Sequence, residues 1–240
     1  MENQLNKKGN KEGRWIFKSK SGKVLEEYNY KNGIKHGVQK ICYSNGRVES
    51  IDNYVDGKLH GLSVRYANKA GKQIESSGLY NNGIKEGLWE ENSIMISRYR
   101  KGTYKNDKKN GHWTEQHLNI ILRGIYKNDK KEGGWIGEFA KGRTLNVKVG
   151  IAYLGYYIDD TKDGLEISYQ SPGIIWEQCE FKNGIRDGLF IKYFHTGEIC
   201  EKGNYKNGVR DGEWLDYSDN NYLNSNPIVY VDGKIKRTRK

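Results

Sequence analysis

Hydrophobic and polar residues alternate along this chain in short stretches that are separated by turn residues. A common pattern begins with an aromatic anchor, followed at two residues by Asn or Asp, at three by Gly or Asp, and at seven by Gly. Asn-Gly and Asp-Gly pairs supply the positive φ angles of a tight β turn, and the later glycine lets the chain enter the next strand. Each occurrence therefore predicts a β-hairpin, with a second turn leading to the next hairpin.

The pattern repeats eight times in full, at anchor spacings of mostly 24 residues. Its structural positions are the anchors Tyr30, Tyr54, Tyr80, Tyr104, Tyr126, Tyr157, Phe181 and Tyr205, the turn glycines Gly33, Gly57, Gly83, Gly184 and Gly208, and the later glycines Gly37, Gly61, Gly87, Gly111, Gly133, Gly164, Gly188 and Gly212. A degenerate copy spans residues 6–13, and a last copy begins at Tyr230. The second turns are expected at Gly22, Gly46, Gly71, Gly142, Gly173 and Gly197.

Large rings recur two residues after the later glycine of the pattern, at Trp15, Trp89, Trp113, Phe190 and Trp214. Because side chains alternate between the two faces of a sheet, these rings are expected to line one face, with the anchors stacked along it. The sequence predicts an all-β, elongated repeat protein, built as a single twisted antiparallel sheet of about nine consecutive hairpins of about 24 residues.

One repeat array is predicted over residues 1–240, with regular units at 6–87 and 157–233 and an irregular centre at 88–156. In that centre Asp107, Asp129 and Asp160 replace the turn glycine, and an extended apolar segment runs over 143–156. Two interpretations of this segment stay open. It is either a bulge or bend that joins two regular halves, or a strand or loop that forms a binding surface.

The repeated Y-x-N-G-x-K-x-G-x-W core, seen for example from Tyr80 to Trp89, resembles the MORN repeat in its bacterial variant form. The resemblance extends over most of the chain, in about nine units. It implies an antiparallel sheet of successive hairpins that serves as a binding platform. Some bacterial members are antitoxins, and some eukaryotic members have been proposed to bind phospholipid or to scaffold other proteins.

Composition narrows the range of functions. Only 35% of the residues are hydrophobic, and 18 Tyr and 6 Trp with 30 Gly and 2 Pro predict a thin, turn-rich sheet rather than a thick aliphatic core. The three cysteines cannot all pair, and the N-terminus is polar, so a cytoplasmic protein with reduced thiols is expected. No catalytic motif, metal-ligand spacing or cofactor fingerprint is present, which predicts a protein that is not an enzyme and uses no cofactor.

The net charge of +11 favours partners that are acidic or rich in phosphate, which would contact the basic groups in the centre and at the C-terminus. A basic run interleaved with aromatic residues and a few residues of the extended segment are the candidate partner-binding residues. They are Arg98, Tyr99, Arg100, Lys101, Lys105, Lys108 and Lys109, together with Arg143, Lys148, Tyr153 and Tyr156. The basic tail at 234–240 is a second candidate electrostatic anchor.

Three functions compete. The favoured one is a non-catalytic protein-binding module that inhibits or scaffolds a partner with an acidic surface or a nucleoprotein complex, as an antitoxin, immunity protein or inhibitor does. A basic accessory protein that binds nucleic acid through the central run is the second. A peripheral binder of anionic membranes is the third, and it is disfavoured because the chain has no amphipathic helix or lipidation signal. The sequence leaves the oligomeric state and the partner's identity open.

Overall fold

A computed structural model describes residues 2–69, 73–93, 98–140, 150–217 and 228–236. The described residues form β-strands, turns and short connections, with no helix among them. By their internal contacts the chain divides into two units, Met1–Trp113 and Thr114–Lys240. The predicted all-β fold of consecutive antiparallel hairpins is confirmed. No helix of the described segments has the length and apolar character needed to cross a membrane.

In the first unit the strands follow one another in chain order and pair antiparallel with their neighbours. They are β1 (Gln4–Leu5), β2 (Lys11–Lys18), β3 (Val24–Lys31), β4 (Ile34–Lys35), β5 (Gly37–Cys42), β6 (Val48–Val55), β7 (Lys58–Tyr66), β8 (Ile74–Asn81), β9 (Ile84–Ser93), β10 (Arg98–Lys105) and β11 (Lys108–His117). The division between the two units falls within β11.

The second unit repeats the arrangement, again with antiparallel pairs of consecutive strands. Its strands are β12 (Ile120–Lys127), β13 (Lys130–Phe139), β14 (Ile151–Ile158), β15 (Thr161–Lys162), β16 (Gly164–Ser171), β17 (Ile174–Lys182), β18 (Ile185–Tyr193), β19 (Ile199–Lys206), β20 (Val209–Asp216), β21 (Ile228–Val231) and β22 (Lys234–Ile235). The described part of the predicted segment 143–156 lies largely in β14, and residues 143–149 lie outside the described residues.

The hairpin turns have positive φ at both central residues, as the mirror-image type I′ turn requires. In the described chain these pairs are Asn32–Gly33, Asp56–Gly57, Asn82–Gly83, Asn106–Asp107, Asn128–Asp129, Asp159–Asp160, Asn183–Gly184, Asn207–Gly208 and Asp232–Gly233. The three aspartates that replace glycine adopt φ of 62°, 70° and 67°. They therefore keep the regular turn, and Asp107 and Asp160 each accept a backbone amide. Asp107 Oδ1 accepts the amide of Lys85 at 2.6 Å, and Asp160 Oδ1 accepts that of Lys131 at 2.6 Å.

Four of the second turns that the sequence predicts are confirmed as glycine turns. Gly22, Gly46, Gly173 and Gly197 all have positive φ. The expected turn residues Gly71 and Gly142 lie outside the described residues. Where no glycine is available between β11 and β12, Leu118 takes the positive φ, at 55°.

Candidate protein-binding surface

One face of each unit, called here the ring face, carries the large rings that the sequence predicts. Trp89, Trp113, Phe190 and Trp214 are buried, and each lies edge-on to an anchor tyrosine at 5.0–5.5 Å between ring centroids. Trp135, which the sequence reasoning omitted, occupies the same position and is equally buried against Tyr126. The ring face is therefore the structural core of the thin sheet.

A glycine two residues before the anchor makes room for each of these tryptophans. A Cβ at Gly78, Gly102, Gly124 or Gly203 would come within 2.1–2.2 Å of the indole of the tryptophan on the following strand. Three of these indoles also donate from Nε1 to the carbonyl one residue past the glycine, at 3.0–3.1 Å. The sequence reasoning missed this glycine, although its fixed offset from the anchor was available as a signal.

Adjacent basic and acidic residues follow most of the hairpin turns, for example Lys85 and Glu86. Their side chains take separate roles. The basic residue lies over the rings, as Lys85 does at 4.1 Å from the centroid of Trp89. The acidic residue instead accepts an amide of the next turn, as Glu86 does from Asn106 at 3.0 Å and Asp187 does from Asn207 at 2.9 Å. Alternation places the two side chains on opposite faces, where each stabilises a different part of the repeat.

The row of rings is interrupted at three described positions, Gln39 and Ser63 in the first unit and Glu166 in the second. In the first unit Ser63 occupies the tryptophan position and Asp52 the glycine position, and a cavity of about 390 Å³ lies beside them. In the second unit Glu166 occupies the tryptophan position, and the ring of Tyr153 lies over Gly155 instead.

Tyr153 is a predicted partner-binding residue, and its hydroxyl is held by two neighbours. It lies 2.7 Å from the hydroxyl of Tyr157 and donates to Glu166 Oε2 at 2.9 Å. Lys162 Nζ forms an ion pair with the same carboxylate at 2.5 Å. Burial and these hydrogen bonds raise the pKa of Tyr153. The ring lines a cavity of about 460 Å³ together with Ile120 and Leu122.

The structure does not gather the predicted basic run on one surface. Arg100 lies on the ring face and forms an ion pair with Glu91 at 2.6 Å. Lys101 lies on the opposite face and pairs with Glu90 at 3.2 Å. Burial alone would raise the pKa of Glu91, but a hydrogen bond from Lys85 and the charge of Arg100 outweigh it and lower that pKa. The charges of Arg100 and Lys101 are thus paired with carboxylates within the sheet.

The other candidate residues are spread over the fold. Arg98, Lys105 and Lys108 are exposed at the ends of β10 and β11, Tyr99 is half-buried in β10, and Lys109 lies 4.7 Å over the ring of Trp113. Tyr156 is half-exposed on the face of β14 away from the rings. Arg143 and Lys148 lie outside the described residues, as do Arg237, Arg239 and Lys240 of the tail.

Three leucines form an exposed apolar group on the face of the first unit opposite the rings. Leu62, Leu79 and Leu88 lie on the consecutive strands β7, β8 and β9 and are 50%, 47% and 55% exposed. Leu62 is directly opposite Leu79 in the register, and the Leu79 side chain reaches across to Gly87, the neighbour of Leu88. We call these three residues the leucine patch. The ring face already supplies the core, so folding does not explain them.

The three cysteines form no disulfide. Cys42, Cys179 and Cys200 are all free thiols. Burial raises the pKa of Cys179 to about 11, so this thiol stays protonated at neutral pH.

A family model, that of the MORN repeat variant, matches residues 11–32 and 186–207. Both matches run in the same phase, from the cation that lies over the rings to the Asn of the following hairpin turn. At least these two segments are therefore MORN repeats of the variant form, as the sequence pattern predicts. MORN repeats are non-catalytic modules that generally bind protein or membrane. No curated protein matches the chain.

Proposed function

We propose that this protein is a non-catalytic, cytoplasmic protein-binding module that inhibits or scaffolds one partner protein. The leucine patch is the observation that supports the proposal. Contiguous exposed apolar side chains of this kind are typical of interaction surfaces, because leaving them in water is unfavourable. Antitoxin, immunity protein and enzyme inhibitor are the specific forms of this function that the family resemblance suggests.

Nucleic-acid binding is the weaker alternative. The central basic run is divided between two faces, and Arg100 and Lys101 each already have a carboxylate partner. A phosphate backbone would have to compete with these ion pairs.

The test is affinity capture of the tagged full chain from its native cells, after nuclease treatment and in high salt. Apolar contacts survive high salt, whereas contacts with phosphate weaken steeply. We expect one stoichiometric protein partner with the wild type. The triple variant Leu62→Ser, Leu79→Ser and Leu88→Ser should lose this partner.

A matched control is Leu165→Ser, which changes a 48% exposed leucine at the same repeat position in the second unit. It should keep the partner. Circular dichroism should show that the triple variant still folds, since the three side chains are about half-exposed. Equal capture by the triple variant would refute the proposal, and so would recovery of only nucleic acid that nuclease removes.

A further inference from the structure

In most repeats a cation from the chain itself lies between two aromatic rings on the ring face. Lys85, five residues after its anchor, has Nζ 4.1 Å from the centroid of Trp89 and 4.8 Å from that of Tyr104, the next anchor. The equivalent residues that contact their own ring and the following anchor are Lys11, Lys131, Arg186 and Arg210, while Lys35 lies over Tyr28 and Tyr54. A cation over ring faces is a favourable and recurring feature of this fold.

The repeat that begins at Tyr54 lacks this cation. Leu59 occupies the position, and the next anchor is Tyr80. The same repeat has Ser63 in place of the tryptophan and Asp52 in place of the glycine. A cavity of about 390 Å³ lies here, and Tyr54, Leu59, Ser63 and Tyr80 contribute to its lining. The place that a cation occupies elsewhere is thus open in this repeat.

Asp52 supplies a negative charge to the cavity. Its two carboxylate oxygens accept hydrogen bonds from Ser63 at 2.6 Å and from Ser50 at 3.1 Å. Burial raises the pKa values of Tyr54 and Tyr80, and the charge of Asp52 raises both further, so this carboxylate lies near both rings. The hydroxyl groups of Ser50 and Ser63 orient the Asp52 carboxylate, and they carry no charge that would neutralise it.

The other charged side chains that line the cavity are already paired. Lys85 Nζ lies 3.0 Å from Glu91, and Arg65 lies 3.6 Å from Glu49. Within the described part of the chain, no Lys or Arg nitrogen is recorded within 4.0 Å of the Asp52 carboxylate. The unmatched charge in the cavity is therefore negative.

We propose that this cavity binds the alkylammonium group of a lysine side chain from the partner protein. That the lysine belongs to a partner protein rests on the proposed function. Tyr80, the anchor that follows Leu59, supplies the ring face, because Tyr54 already has Lys35 over it, and Asp52 supplies the counter-ion. The bound ammonium group occupies the place that a Lys or Arg side chain occupies in other repeats, where this repeat has Leu59.

The direct test is an NMR titration of the ¹⁵N-labelled full chain with Nα-acetyl-lysine-N-methylamide. Nα-acetyl-norleucine-N-methylamide is the control, because it has the same backbone and an apolar side chain without the ammonium group. We expect saturable shifts of the Ser63 and Tyr80 amides with the lysine compound and none with the norleucine compound. Equal shifts with both compounds, or none with either, would overturn the proposal.

Two variants locate the binding. Leu59→Lys supplies the cation within the chain and is expected to fold, because six other repeats carry Lys or Arg at this position over two rings. The lysine of this variant would lie over Tyr80, as the cations of the other repeats lie over the following anchor, and it should weaken binding of the lysine compound at least tenfold, as should Asp52→Asn. Leu165→Lys is the matched control: it adds the same charge at a 48% exposed position in the second unit, outside the cavity and the leucine patch, and should leave binding unchanged. Unaltered binding by Leu59→Lys would contradict the assignment.

Affinity capture then separates this inference from the proposed function. Loss of the protein partner by Leu59→Lys, with capture retained by Leu165→Lys, supports a lysine of the partner as the occupant. If Leu59→Lys keeps the partner, the cavity binds free amines instead and the assignment to the partner is overturned. If neither the wild type nor any variant captures a protein while the lysine compound still binds, the proposed function is refuted. The cavity then still binds an ammonium group, and only the partner protein as its source is refuted.

Discussion

Each tryptophan of the ring face depends on one glycine that the general rules for turns do not explain. Gly203 lies within a strand rather than in a turn, and a Cβ there would be 2.2 Å from Cδ2 of Trp214. The indole lies close to this glycine and donates from Nε1 to the carbonyl of Asn204 at 3.1 Å. Glycine is needed here because of the close approach of the ring, and the carbonyl next to it fixes the ring's orientation.

Gly203→Ala should therefore destabilise the protein, by about 1–3 kcal/mol, because the added methyl group forces the buried ring to move. Gly134→Ala is the matched control in the same unit, since a Cβ at Gly134 would have nothing within 4 Å. It should be neutral or slightly stabilising. Urea unfolding followed by tryptophan fluorescence measures both changes. Equal stability of the two variants would mean that the glycine is not required by the ring.

The sequence was sufficient to predict the turns and most of the ring row, because both follow local rules of spacing and φ angle. The cavity at Asp52 was not predictable in the same way. Leu59, Ser63 and Asp52 are ordinary residues taken singly, and their importance appears only when β6, β7 and β8 are placed side by side. The basic run was misleading for a related reason, because neighbours in sequence were grouped although strand alternation separates Arg100 from Lys101.

At the scale of strands, ion pairs join neighbours across both faces of the sheet. Between β9 and β10, Glu91 binds Lys85 and Arg100 on the ring face, and Glu90 binds Lys101 on the other. The two acids differ in exposure, with 19% of the Glu91 side chain and 45% of the Glu90 side chain accessible. Charge pairs contribute more to stability when they are shielded from water, so Glu91 should matter more.

Glu91→Gln should lower the free energy of unfolding at pH 7 by roughly 1 kcal/mol, whereas Glu90→Gln should change it by less than about 0.5 kcal/mol. The pKa of Glu91 is lower in the fold than its ordinary value of 4.5. The ionised Glu91 carboxylate therefore contributes fully to the free energy of unfolding above pH 4.5. This contribution is lost as the pH falls through the lowered pKa of the folded state. Urea unfolding between pH 7 and pH 3 measures this. A difference between wild type and Glu91→Gln that stayed constant over this range would contradict the linkage.

At the scale of the whole molecule, strand pairing within each unit is almost entirely sequential. A strand pairs with the strand before it and the strand after it, apart from short two-residue strands that are passed over, as where β3 pairs with β5. Stability in such a protein is the sum of repeat terms and nearest-neighbour terms, so damage to one repeat spreads only to adjacent repeats. Polar residues that replace a ring of this row, such as Ser63 and Glu166, are tolerated for the same reason.

This sequential pairing predicts where a core substitution acts. Trp214→Ala removes a ring that is 1% exposed and should cost about 3–5 kcal/mol in its own repeat. Amide hydrogen exchange should become faster in β19, β20 and β21 and stay unchanged in β2 to β7. Trp176→Ala is the control, because that ring is 40% exposed and its loss should alter exchange little anywhere. Faster exchange throughout the chain in Trp214→Ala would show instead that the repeats unfold as one cooperative unit, and the effects of the cavity and patch variants would then extend beyond their own repeats.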